Sequence, residues 1–144
     1  MNFIGNVKIS RVEDGAVAGV TVLTSDVIDM QNFDGLVFLA ALGDVLATAV
    51  NVLQAQHSDV GDGSGMTNIV ASVVSWTADA TDADNKLMLL EIFRPTKRFL
   101  RVTLTRTVAN TVLDGIFAFQ SSPALAPVTQ HSSVLVKDFQ LSPV

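Results

Sequence analysis

The feature that most constrains this chain is its punctuation. Short runs rich in Val, Thr, Ile and Phe are interrupted about every ten residues by Gly, Asp, Asn, Ser or Pro, the pattern of antiparallel strands joined by turns. Eight such runs stand at about residues 17–24, 36–42, 47–56, 67–76, 86–93, 99–107, 111–119 and 134–141. The clearest is 99–107, where Leu100, Val102 and Leu104 alternate with Arg101, Thr103 and Thr105, so that a period of two sends aliphatic and polar sets to opposite faces. By contrast, Leu36-Val37-Phe38-Leu39-Ala40-Ala41-Leu42 has no polar face. Such a segment is either a central strand covered on both sides or a strand lying under a partner subunit.

Residues 44–54 also fit helical spacing, with Val45, Leu46, Ala49, Val50 and Leu53 on one face and Asp44 as N-cap. The strand reading is preferred, because Val50 and Val52 lead into Asp59-Val60-Gly61-Asp62-Gly63-Ser64-Gly65, which reads as a hairpin loop. Asn110 and Asp114-Gly115 mark further turns or bulges. The last run ends at Pro143. With 144 residues, 49% of them hydrophobic, the chain suffices for one core and is too short for two ordinary domains. The expectation is therefore one all-β domain over 1–144, an antiparallel two-sheet β-sandwich of jelly-roll type with about eight strands. A short N-terminal extension (about 1–12) and an arm (about 121–133) carrying Pro123 and Pro127 complete it.

Charge is unevenly spread. Residues 12–85 hold eleven acids and no Lys or Arg, whereas 86–106 carry Lys86, Arg94, Lys97, Arg98, Arg101 and Arg106 against Glu91 alone. The net charge of -5 opposes a general affinity for nucleic acid. The basic block either pairs with the acidic turns or docks on an acidic partner. Its most distinctive stretch is Phe93-Arg94-Pro95-Thr96-Lys97-Arg98-Phe99-Leu100-Arg101, where Pro95 interrupts strand pairing amid cations. The longest apolar stretch, 36–42, is far below the ~20 residues of a membrane-spanning helix, and the first eleven residues lack the pattern of a secretory signal. Charged residues make up only 16% of the chain, below the ~25% usual for globular domains, which hints at a surface partly covered by a partner.

Chemistry finds little support. There is no cysteine, so disulfides, thiolate metal sites and cysteine nucleophiles are excluded. His57 and His131 are the available imidazoles, both read as loop residues, and Asp62 stands where a Gly-x-Ser-x-Gly elbow around Ser64 needs its first glycine. Asp59, Asp62 and Ser64, or Asp79, Asp82, Asp84 and Asn85, supply oxygen ligands without calcium-loop spacing, and the turn-forming role of these residues explains them better. No phosphate-binding loop is present, so no cofactor is expected. One Trp, eight Phe and no Tyr leave few stacking platforms for glycans or single strands. An enzyme is not the expected class.

Several segments together resemble a known group. They are Ser25-Asp26-Val27-Ile28-Asp29-Met30, Phe33-Asp34-Gly35, Val52-Leu53-Gln54, Asp84-Asn85-Lys86-Leu87, the basic stretch 93–101, Asp114-Gly115-Ile116 and Ala126-Pro127-Val128-Thr129-Gln130. Over roughly residues 20–130 the chain resembles accessory head proteins of tailed bacteriophages, the cement or decoration proteins. The resemblance implies a jelly-roll domain made in the host cytoplasm and bound on the outer surface of the virion head. Its partners would be the major capsid protein and further copies of itself, as a dimer or trimer at capsid symmetry axes, with no nucleic acid, membrane or cofactor. Arg94, Lys97, Arg98 and Arg101 would contact the partner. Phe3, Ile4, Pro123 and Pro127 would reach neighbouring subunits or pack on their own domain. The alternative is a phage tail or fibre adaptor, or a glycan-binding adhesion module, needing an aromatic cleft or bound Ca²⁺. A small β-fold hydrolase is disfavoured by the histidines.

Overall fold

The computed structural model describes residues 2–141. It contains one helical turn, α1 (Phe3–Asn6), and ten strands: β1 (Lys8–Glu13), β2 (Ala16–Gly19), β3 (Val22–Thr24), β4 (Ile28–Asp29), β5 (Phe33–Val45), β6 (Val50–Ser58), β7 (Thr67–Thr77), β8 (Leu87–Phe93), β9 (Phe99–Thr107) and β10 (Thr111–Pro123). They form two antiparallel five-stranded sheets. One runs β1-β10-β5-β8 with β2 also on β10, and the other runs β3-β9-β6-β7 with β4 also on β9.

β1 and β2 share one strand position, as do β3 and β4, so each sheet has four positions. Following the chain, every connection between positions crosses from one sheet to the other except β6 to β7. That is the jelly-roll connection pattern, and it makes the β-sandwich expectation hold in architecture as well as class. The one in-sheet hairpin, β6–β7, turns through the Asp/Gly/Ser loop that the sequence marked, with Gly63 and Gly65 at φ +87 and +65.

Most runs fall on strands, and the exceptions have local causes. The run 17–24 is split between β2 and β3, which belong to different sheets, because the chain turns a corner between Gly19 and Val22. Residues 8–12, expected in an extension, form β1 against β10. Only Ser10 and Val12 of this strand are buried, so its apolar alternation is faint. The helical alternative for 44–54 gives way to the end of β5, a turn and β6. Residues 134–141 form no strand and have no strand partner, leaving Leu135 98% exposed. The end of that run at Pro143 lies outside the described residues.

The core is the two inner faces. Leu36, Phe38, Ala40 and Leu42 of β5 and Leu113, Ile116 and Ala118 of β10 meet Leu53 and Ala55 of β6 and Leu100, Val102 and Leu104 of β9, all nearly or fully buried. Gly15, where β1 breaks into β2, has no room for a side chain: a Cβ would lie 3.0 Å from Leu113 O and 3.1 Å from Asp114 O.

One end of the sandwich is fastened by polar groups. Arg106 is only 3% exposed, yet it has no acidic partner among the described residues. Its guanidinium donates to Thr111 O at 2.7 Å, Val17 O at 2.9 Å, Thr21 O at 3.1 Å and Thr21 Oγ1 at 2.7 Å. The planar fork thereby ties the β2–β3 corner to the start of β10. Burial lowers its pKa from the usual arginine range without neutralising it. Beside it, Asn51 Nδ2 donates to Thr111 Oγ1 at 3.0 Å, a buried bond from one sheet to the other. Replacing Arg106 by Met leaves the buried Thr111 O without its donor and unties the part-buried carbonyls of Val17 and Thr21, so Arg106→Met is expected to lower unfolding free energy by about 1–3 kcal/mol. Urea denaturation checks this, and Arg106→Lys should recover only part of the loss.

Candidate interface

The outer faces of the two sheets differ in kind, and the strand registers show how. On the β1-β10-β5-β8 sheet, Ile9, Phe119, Val37 and Glu91 lie in one row, and Arg11, Phe117, Leu39 and Leu89 in the next. Ala41 and Leu87 continue one side, and Gly35 and Phe93 the other. Leu87, Leu89 and Phe93 are 58%, 55% and 59% exposed. On the other sheet the matching rows are Val22, Thr105, Val52, Ser75 and Thr24, Thr103, Gln54, Val73, with Arg101 beside Gln56 and Asn68. A threonine-rich face of this kind is satisfied by water, whereas a contiguous aliphatic and aromatic face marks a contact surface.

Formal charges stand at the edges of the apolar face: Arg11 with Asp14 and Asp114 on the β1 side, and Glu91 with Arg94 on the β8 side. Arg11, on β1, lies 5.5 Å from the centre of the Phe117 ring and 3.4 Å from Asp14. Glu91, on β8, stands on the exposed side of its strand with no cation in ion-pair range among the described residues. Of the two readings for 36–42, β5 is central in its sheet but covered on one side only. Val37, Leu39 and Ala41 remain half-buried on the outside. Along the β7–β8 side, an apolar groove of about 360 Å³ lies between Val74 and Trp76 on one edge and Leu87 and Leu89 on the other.

The basic segment is largely absorbed by the chain's own acids and carbonyls. Arg98 holds Asp29 through two bonds of 2.8 Å and donates to Gln31 Oε1. Lys97 lies 3.6 Å from Asp59, and Arg101 donates to Gln56 Oε1 at 2.8 Å and Gly63 O at 3.4 Å. Arg94 differs. It sits at φ 52, its backbone N–H donates to Asp34 O, and its exposed guanidinium lies 5.2 Å from the Phe93 ring centre with no carboxylate in range among the described residues. A left-handed backbone at a non-glycine residue is uncommon, and here it turns the cation outward where β8 ends.

The N-terminal turn and the proline arm are brought together. Gln130 donates through Nε2 to Ile4 O and Val7 O and accepts Ile9 N–H at 2.7 Å, while Val128 N–H donates to Gly5 O. Ser133 Oγ accepts Arg11 N–H at 2.9 Å. The free N–H groups of edge strand β1 are thus capped by side chains, which blunts that edge against further pairing. Of the four residues read as reaching outward, Phe3 is half exposed, Pro127 is exposed, and Ile4 and Pro123 are partly buried.

His57 lies within β6 rather than in a loop, its Nδ1 buried without a partner among the described residues, in a cleft of about 240 Å³ beside Ile69, Ser72 and residues 91–96. His131 is a loop residue, with Ser133 Oγ 2.8 Å from its Nδ1 in a local turn. The acidic turns close on themselves: Asp62 accepts Ser64 N–H, Asp82 accepts Asp79 N–H and Asp84 accepts Val45 N–H. Among the described residues, no group of three or more His, Cys, Asp or Glu is placed to hold a metal.

No protein-family model and no curated protein matches this chain. Among solved structures it is similar to that of Eiger TNF from S. frugiperda, at 7% identity over 93% of this chain and 99% of that one, with a TM-score of 0.37. So loose a superposition adds nothing to the topology established above.

Sequence reasoning missed Leu87, Leu89, Phe117 and Phe119 as surface residues. The available signal was the doubly apolar character of 36–42, 87–93 and 116–119, too much for a strand with a wet face. It also missed Gln130, because a side-chain clasp leaves no periodic trace.

Two outcomes follow. Arg98 holds the Asp29 carboxylate below its ordinary value of 3.8, so the pair adds stability that is fully present above that pH and is lost as pH falls through the lower folded pKa. Asp29→Asn should therefore melt slightly lower than the parent at neutral pH, a modest effect for a half-exposed pair, with the two converging only once the pH has fallen through the lowered pKa of folded Asp29. Gln130→Ala should speed amide exchange at Ile9 about tenfold while Leu104 keeps its protection, read by hydrogen-exchange NMR.

Proposed function

We propose that this chain is a structural virion protein, a cement or decoration protein that binds the outside of a bacteriophage head shell and stabilises its expanded form. The observation that carries the reading is the outer face of the β1-β10-β5-β8 sheet. A protein working alone in water gains nothing by holding Leu87, Leu89 and Phe93 more than half exposed in one plane with Leu39, Phe117 and Phe119. Such a face belongs to an assembly. The sequence resemblance supplies which assembly: a shell of the major capsid protein, with the protein placed on the virion's outer surface. The role asks for a stiff scaffold with satisfied edges and an adhesive face, and requires neither catalysis nor a cofactor.

The mechanism is mass action on the shell. Each copy that binds the expanded lattice and not the unexpanded one shifts the equilibrium by RT ln(1 + [L]/Kd), about 2.7 kcal/mol per site at a concentration ~100 times Kd. Repeated over equivalent sites, that opposes bursting by packaged DNA. Arg94 is the cation best placed to meet a capsid carboxylate, since Lys97, Arg98 and Arg101 already hold partners of their own.

Co-sedimentation with DNA-free heads of the cognate major capsid protein tests the proposal. Saturable binding to expanded shells and not to unexpanded ones is expected, weakened by Arg94→Glu. Binding to neither form would overturn it and favour a tail, fibre or glycan-binding adhesion module.

A further inference from the structure

We infer that the open edge of β8 takes up an extended segment of the shell protein as an added strand, whose alternate side chains fill the groove between β8 and β7. The inference rests on the cement reading and names the form in which that partner binds.

The hydrogen-bond parity of β8 carries it. Arg94 N–H donates to Asp34 O just past one end of β8, and Lys86 O accepts Leu42 N–H just before the other, so the even-numbered residues face β5. The pairing between them has no register shift, and an antiparallel ladder alternates. Leu87, Leu89, Glu91 and Phe93 therefore point both N–H and C=O away from β5, and no other strand takes these groups up among the described residues.

The other edges are blunted. Ile9 and Arg11 N–H of β1 are capped by Gln130 and Ser133, and β2, β3 and β4 are four, three and two residues long. β7 is broken by a bulge: its register against β6 shifts between Gln54 and Gln56, Ala71 stands at φ 65, and Gln54 Nε2 donates to Ile69 O and Ser72 O. β8 is left as an unbroken edge of seven residues with Glu91 as its one charge, open to strand addition.

The place dictates the occupant. A repeating row of backbone donors and acceptors is matched by another backbone, so the occupant is a polypeptide in extended form. Added to β8 it continues the sheet, and its residues alternate between the apolar outer face and the groove lined by Leu42, Val74, Trp76 and Met88. Such a segment is apolar on both faces over about five residues. At one end it meets Arg94, the cation to which the cement reading already gives a capsid carboxylate, so an acidic residue belongs there. At the other end Lys86 and Asp82 stand together at the groove. Edge and outer face are thus one continuous contact with the same shell.

Hydrogen exchange on the whole protein, free and bound to expanded heads, tests this, with amides read by NMR after quenching and release into an aprotic solvent. Leu87, Leu89, Glu91 and Phe93 should exchange at least tenfold more slowly on the head than in the free protein. Leu89→Pro removes one outward N–H while leaving the backbone bonds to β5, and Trp76→Lys spoils the groove from β7, away from the outer face. Each should weaken head binding at least tenfold while melting as a folded protein, whereas Leu89→Ile, which keeps the N–H, should bind like the parent. Head binding with those four amides unprotected, or unchanged by Leu89→Pro and Trp76→Lys, overturns this inference and leaves the cement reading in place. Slowing of the same amides in concentrated protein without heads puts a second copy on the edge and also overturns it. Binding to neither form of head overturns the cement reading, and this inference with it.

Discussion

Strand β10 is the element on which the rest of the structure depends. It pairs with β1 and β2 on one side and along nearly its whole length with β5 on the other, so the last strand of the chain joins the first to the middle. Arg106 and Asn51 converge on its first residue, Thr111, one from the preceding strand and one from the opposite sheet. Until β10 arrives, β1 and β2 have no strand partner and the buried guanidinium has lost one of its carbonyls. A jelly roll closed in this way relies on contacts far apart in sequence, which places it among the slower-folding topologies.

Once both inner faces are spent on the core, what distinguishes this domain is what it leaves outside. The two sheets use the same alternation, yet one turns mostly threonine, glutamine and serine outward, with Val22, Val52 and Val73 among them, and the other leucine, valine and phenylalanine. The cost of that second face is exposed hydrocarbon, on the order of 25 cal/mol per Å², recovered only when another surface covers it. The low proportion of charged residues in the chain has its structural meaning here.

The charges serve mainly to organise loops. Asp62, Asp82 and Asp84 accept backbone N–H groups in turns, and Asp29 and Asp59 receive Arg98 and Lys97. Basic residues clustered in sequence are thus dispersed in space: Arg106 is interior, Arg101 lies on the polar sheet, and Arg94 faces water. Local charge of +5 in sequence is not a patch of +5 on the surface.

The sequence by itself determined the strand content, the hairpin loop between β6 and β7, and the limits of β9, because a period of two and turn-forming residues act over neighbouring positions. It also signalled that 36–42 carried more apolar surface than one face needs. Only the tertiary structure decided that 17–24 splits between sheets, that 8–13 is a strand and that 134–141 is not, since strand pairing depends on which edges remain open. Tertiary structure likewise decided that Arg106 is structural and that Gln130 clasps the chain's beginning, through partners up to 89 residues away for Arg106 and more than 120 for Gln130. The reason is the same in each case. Periodicity states that a residue has two faces to fill, and only the assembled sheets supply what fills them.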